Sequence, residues 1–114
     1  MTAPAVSFVQ SLVARFPVFG GIYEEHVDDN SEVLPHMLFG DIVRQMVPMH
    51  PEDAERISEV LAFLDAAYGA GDPDVQNLLE ASFLENLPCA GEAGAGIRDL
   101  LGPNLRNKLR DMGC

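Results

Sequence analysis

The sequence has no tryptophan, two tyrosines, two cysteines and seven basic residues, against eighteen acidic ones, in 114 residues. Each shortage excludes something. With aromatics at only 7%, the core is expected to be filled by Leu, Val, Ile, Met and Ala. Cys89 lies in a Gly-rich stretch and Cys114 is the last residue, where chains fray, so the cysteines do not read as a disulfide framework. No basic region precedes an apolar one at the start, so no signal peptide is expected. No apolar run approaches the ~20 residues that span a bilayer. The expected setting is therefore cytoplasmic.

The shortage of bases is uneven. Residues 1–97 hold three (Arg15, Arg44, Arg56) against sixteen acids, a net −13, whereas residues 98–114 hold four against two, a net +2. Such a body repels nucleic-acid phosphates and anionic lipids, which excludes both as partners. It suits a protein partner with a basic patch, whose approach it would steer.

Hydrophobic residues make up 47% of the chain, ordinary for a globular protein. Area scaling for this size gives about 6,100 Å² folded against about 18,000 Å² unfolded, enough burial for one core without disulfide or metal. A single domain over residues 1–114 is expected. Val6, Val9, Leu12, Val13 and Phe16 fall at steps of three and four, the stripe of an amphipathic helix, which Pro17 and Gly20-Gly21 should end. A short helix near Tyr23 and Val27 follows. Asp29-Asn30-Ser31 supply caps for a second long helix. Its residues Val33 to Val47 leave only a narrow polar strip of His36, Gly40, Asp41, Arg44 and Gln45, so it should be the central, most buried helix.

A third helix is expected from His50-Pro51-Glu52-Asp53, with Ile57, Val60, Leu61, Leu64 and Tyr68 inward and Gly69 and Gly71 at its end. A fourth opens at Asp72-Pro73-Asp74, with Val75, Leu78, Leu79, Ser82, Phe83 and Leu87 inward. The short connection favours an antiparallel helical hairpin over about 51–87. Residues 88–96 read as a flexible loop and 97–114 as a short helical tail. No segment alternates as a strand would. The expected class is all-α, a compact bundle of roughly four to six helices.

Chemistry-bearing clusters are sparse. His26 and His36 with Glu25, Asp29 and their acidic neighbours are the candidate metal ligands, and they define one alternative function, a small metal-assisted hydrolase. Zinc sites usually include a close sequence pair of ligands; these histidines are ten residues apart and His50 fourteen further on, so no cofactor is expected. Ser7, Ser11, Ser31, Ser58, Ser82 and Cys89 are nucleophile candidates; Ser31 reads as a cap, Ser82 lies on an inward face, and Cys89 has no histidine in its own element. The Gly91–Gly96 stretch lacks the preceding strand and the Lys-Ser/Thr end of a phosphate loop. What remains is an acidic face on the hairpin: Glu52, Asp53, Glu55, Glu59 and Asp65 on one helix, Asp74, Glu80 and Glu85 on the next. With His36, Asp41 and Arg44 of the polar strip, Glu52, Asp53, Glu55 and Glu59 are the candidate partner-binding residues.

Two strings, Leu34-Pro-His-Met-Leu-Phe-Gly-Asp-Ile42 and Asp74-Val-Gln-Asn-Leu-Leu-Glu-Ala-Ser-Phe-Leu-Glu-Asn-Leu87, together resemble a family of small bacterial helical domains of unknown function, over roughly residues 5–87. The second is also similar to one helix of a HEAT-like hairpin. The resemblance implies a helical fold and a bacterial setting, and links such proteins to immunity factors that sit beside secreted toxins. His36, Gly40, Asp41, Gln76, Asn77, Glu85 and Asn86 match the strings, and no catalytic role comes with them. The function expected is a non-enzymatic protein-binding module, most concretely an immunity protein; a structural subunit dimerising through the apolar first helix is the other alternative.

Overall fold

The computed structural model describes residues 3–49, 52–89 and 91–112. Among the described residues six α-helices carry the fold: α1 (Ala3–Arg15), α2 (Gly20–Asn30), α3 (Pro35–Met46), α4 (Ala54–Gly69), α5 (Pro73–Leu78) and α6 (Pro103–Met112). Tighter turns at Pro17–Phe19, Val47–Met49, Leu84–Asn86 and Ala95–Leu100, and a π-helical turn at Leu79–Phe83, complete them. No strand occurs among the described residues. The folded surface is 5928 Å², close to the value expected for one compact body.

The apolar stripes fall where the periodicity puts them. Ala5, Val9, Leu12 and Phe16 of the first segment are buried, as are Leu38, Phe39, Ile42, Val43 and Met46 of α3, and Ile57, Val60, Leu61 and Leu64 of α4. Asp72 caps α5 as its residue type suggests, accepting from the N–H groups of Asp74 at 2.9 Å and Val75 at 3.2 Å. Beyond Leu78 the chain widens into the π turn and then tightens. Three successive residues, Ser82, Phe83 and Leu84, are buried there; the changed pitch gives them the inward face that a regular 3.6-residue period would deny one of them.

The core is less aliphatic than the composition suggests. Phe8 stacks on Phe39 (centroids 6.3 Å apart) and on Phe63 (5.8 Å), Phe16 meets Phe63 edge-on (5.7 Å), and Phe39 meets Phe83 edge-on (6.1 Å). Five of the six phenylalanines thus form one chain through α1, α3, α4 and the π turn, each contact in the favoured range for aromatic pairs.

Several boundaries differ from expectation. Gly20-Gly21 open α2 instead of breaking the chain, because the turn at Pro17–Phe19 buries Phe19 and delivers the backbone already helical. Asn30 and Ser31 close α2 instead of capping α3: Ser31 takes the left-handed conformation (φ 61°) and its N–H reaches the Val27 carbonyl. The next helix then starts at Pro35, which is suited to a first helical position because its missing N–H would be unsatisfied there. Met37, expected inside, is 53% exposed. His50 and Pro51 lie outside the described residues.

The described residues at 88–89 and 91–96, in the stretch expected as a flexible loop, make local contacts. The Glu92 carboxylate accepts from the Cys89 N–H at 2.6 Å, and Arg98 donates to the Pro88 carbonyl at 3.2 Å. Gly94 (φ +86°) sits so close to Val47 that a β-carbon there would lie 2.6 Å from its methyl. Cys89 is disulfide-bonded, which corrects the reading of the cysteines.

The largest correction concerns Asp65, expected on an exposed acidic face. It is 8% exposed, and its carboxylate accepts from the Leu105 N–H at 2.8 Å and from the Asn104 side chain at 3.3 Å. Leu105 is the third residue of α6, so Asp65 acts as an N-cap from another helix, satisfying a donor that the first turn leaves open. Glu80, also expected on that face, is half-buried between the Tyr68 hydroxyl, which donates to it at 2.9 Å, and the Lys108 ammonium at 3.3 Å. With Gln76 donating to the Tyr68 carbonyl at 2.9 Å, these bonds fold the 73–86 segment back on α4 and clamp α6 over the hairpin.

Two predictions follow from these clamps. A β-carbon at Gly102 would lie 2.4–2.8 Å from the Asp65 side chain, which is buried and cannot yield. Gly102→Ala should therefore cost about 1–3 kcal/mol in urea unfolding, whereas Gly20→Ala, with open space around it, should be neutral or mildly stabilising; equal effects would remove the contact. Burial, then the hydrogen bond to Glu80 and its charge, push the Tyr68 hydroxyl up to about 12 from 10.0. A folded value above the unfolded one stabilises the fold fully below pH 10, and that contribution disappears as the pH rises through 12. Tyr68→Phe should flatten the loss of stability across that window, and absorbance titration should show one of the two tyrosines ionising late.

Candidate functional site

The polar strip of α3 does not stand free. The His36 Nδ1 lies 2.5 Å from the Ser82 Oγ, joining α3 to the π turn across 46 residues of sequence. Neither residue has a partner in its own element, so sequence inspection could not pair them. Asn86 donates to the Ser82 carbonyl at 2.7 Å. Asp41 pairs with Arg44 one turn on, not with His36. A serine and a histidine in contact are two members of a nucleophile–base pair. Ser82 is 4% exposed, and the pair fastens two helical segments.

His26 is held as firmly. It is 4% exposed; its Nε2 accepts the Leu34 N–H at 2.9 Å, and the Asn30 amide donates to its carbonyl at 2.9 Å and lies 3.4 Å from Nδ1. An accepting Nε2 fixes the neutral ring and secures the last turn of α2 to the residue preceding α3. His26 and His36 are thus structural joints of two different pairs of elements. Among the described residues no three His, Cys, Asp or Glu side chains are placed to hold a metal ion.

Two of the concave regions lie near the residues considered so far. One, about 460 Å³, lies between α2 and α3, lined by Ile22, Glu25, His26, Asp29, Met37 and Asp41. The other, about 530 Å³, is lined by Arg15, Phe16, Pro17, Val18, Arg56 and Glu59; here the Arg15 guanidinium lies 4.8 Å over the Phe16 ring, a cation–π contact. The expected acidic face on α4 is interrupted. Glu52, Glu55 and Glu59 are exposed, but Arg56 sits among them, 3.5 Å from Asp53, and Asp53, Glu55, Arg56 and Glu59 line a hollow of about 230 Å³. On α2, by contrast, Glu24, Glu25, Asp28 and Asp29 are all exposed.

A family model described as "Domain of unknown function (DUF7674)" matches residues 9–112. The chain belongs to that family. The match runs from the second turn of α1 to the end of α6, so the Asp65 cap, the His36–Ser82 joint and the α2–α3 groove are all features of the family domain as it occurs here. No curated protein and no solved structure matches the chain. No single helix among the described residues is long and apolar enough to cross a membrane; α1 and α2 reach that length only as a pair bent by 111°, and their Val9, Leu12 and Phe19 are buried in the core.

Ser82→Ala removes one buried hydrogen bond and should cost about 0.5–1.5 kcal/mol, read by chemical denaturation, with a shift of the His36 ring resonances. Unchanged stability and an unchanged ring environment would show that the pair does not fasten the π turn.

Proposed function

We propose that this domain is a non-enzymatic protein-binding module whose partner presents a basic patch, most concretely a secreted toxin that the domain neutralises as an immunity protein in a bacterial setting. The observation that carries the reading is the exposure of carboxylates on two helices, Glu24, Glu25, Asp28 and Asp29 on α2 and Glu55 and Glu59 on α4, with Glu52 in the turn before α4, over a body holding only three bases in its first 97 residues. The histidines that a metal-assisted hydrolase would need are engaged in joints. Mechanism follows from charge and bulk. The acidic surface raises the encounter rate with a basic partner, and the rigid helical body then occludes the partner's working surface in a 1:1 complex.

The compartment depends on Cys89. A disulfide persists mainly in oxidising compartments, so the cytoplasmic setting expected from sequence requires a reduced Cys89, and thiol trapping at lysis assigns it.

The test begins with a partner, obtained by co-expression with the neighbouring gene product or by pull-down from the source cell. Glu52→Lys, Glu55→Lys and Glu59→Lys together should lower the association rate by about tenfold while the circular-dichroism spectrum stays helical. The wild-type rate should fall as salt shortens the Debye length to about 8 Å at 0.15 M. An acidic partner, or a rate indifferent to both salt and reversal, would overturn the reading.

A further inference from the structure

The groove between α2 and α3 combines features that the α4 face lacks. Its apolar part is formed by Ile22 and Met37, and Met37 is the exposed large hydrophobic side chain among the described residues, at 53%. Flexible, polarisable methionine is the side chain most used on surfaces that adapt to partners. Around it stand Glu25, Asp29 and Asp41. Asp41 is paired with Arg44, whereas Glu25 and Asp29 have no ion pair among the described residues. The walls are fixed relative to each other, because the Leu34 N–H bonds to His26 at 2.9 Å, so binding would order little that is not already ordered. At about 460 Å³ the volume is in the range of sites that enclose ligand groups.

We infer that this groove is the anchoring site for a basic amphipathic segment of a partner protein, in which an aliphatic side chain packs on Met37 and Ile22 and an adjacent lysine or arginine reaches Glu25 and Asp29. The inference rests on the protein-binding reading above and deepens it by locating the contact that holds the complex. Lysine fits the lining by its own construction: the methylene stem lies along apolar surface while the charged head extends to the carboxylates. Charge alone would favour any basic surface anywhere on the body. The juxtaposition of an exposed methionine with two uncompensated carboxylates selects a segment that is both apolar and basic. The two acidic regions then have different tasks: α4 contributes long-range attraction, which salt screens, and the groove contributes residence time, which salt screens less.

The experiment uses the whole domain and two labelled probes, a helical leucine/lysine peptide and an oligolysine of equal charge. In amide-resolved NMR titration the leucine/lysine peptide should shift residues of α2 and α3 around Met37, and it should bind at least tenfold more tightly than oligolysine at physiological salt. Met37→Asp, and separately Glu25→Gln with Asp29→Asn, should each weaken it at least tenfold. All three residues are on the surface, so thermal unfolding should be unchanged and confirms that the fold is intact. Shifts confined to α4, with the groove variants binding like the wild type, would overturn the groove while leaving a basic-partner function standing. Failure of both peptides to bind at all would overturn the groove and count against that function as well. Equal affinity for the two peptides would show that charge alone acts, and would also overturn it.

Discussion

A carboxylate removed from water must find donors, and Asp65 finds them only in the first turn of α6. This one requirement organises the C-terminal third of the molecule. Its Oδ1 takes the N–H of Leu105 and its Oδ2 faces the side chain of Asn104, so α6 has to begin directly against α4. Pro103 at the first helical position withdraws a donor that would otherwise be open. Gly102 before it leaves the space that the carboxylate occupies. Once α6 starts there, Leu105 and Leu109 are buried and Lys108 reaches Glu80, so the polar clamp and the apolar packing support each other. A buried acid left without donors would be strongly destabilising; satisfied, it specifies one docking of a short helix that is too polar to dock by hydrophobicity alone.

The other half of the molecule is organised by rings. Phe8, Phe16, Phe39, Phe63 and Phe83 connect α1, α3, α4 and the π turn, while the polar joints at His26 and His36–Ser82 act at the rim of that packing. His26 sets how α2 meets α3, and the groove beside Met37 owes its shape to that joint. Structure and proposed function meet at this point. The residues that bear recognisable chemistry, the histidines and the inward serine, work internally as fasteners, and the surface left for a partner is built from carboxylates and one exposed methionine.

The amino-acid sequence by itself determined the all-helical class, the central burial of α3, the cap at Asp72 and the inward sets of α1, α4 and α5, because each depends on spacing within a single element. It also determined the acidity of the body, since charge is additive along a chain. Tertiary structure alone decided which acids are on the surface. Asp65 and Glu80 are helical acids like Glu55 and Glu59, yet Asp65 is buried against α6 and Glu80 is half-buried and paired with its Lys108, and α6 starts dozens of residues after Asp65. It alone decided that His36 faces Ser82, that Met37 is exposed although it lies in an apolar run, and that the phenylalanines meet. It also fixed Cys89 in a pinned turn. Periodicity reports which side of a helix is apolar; only the arrival of a distant segment decides which side is covered, and which polar group that segment brings with it.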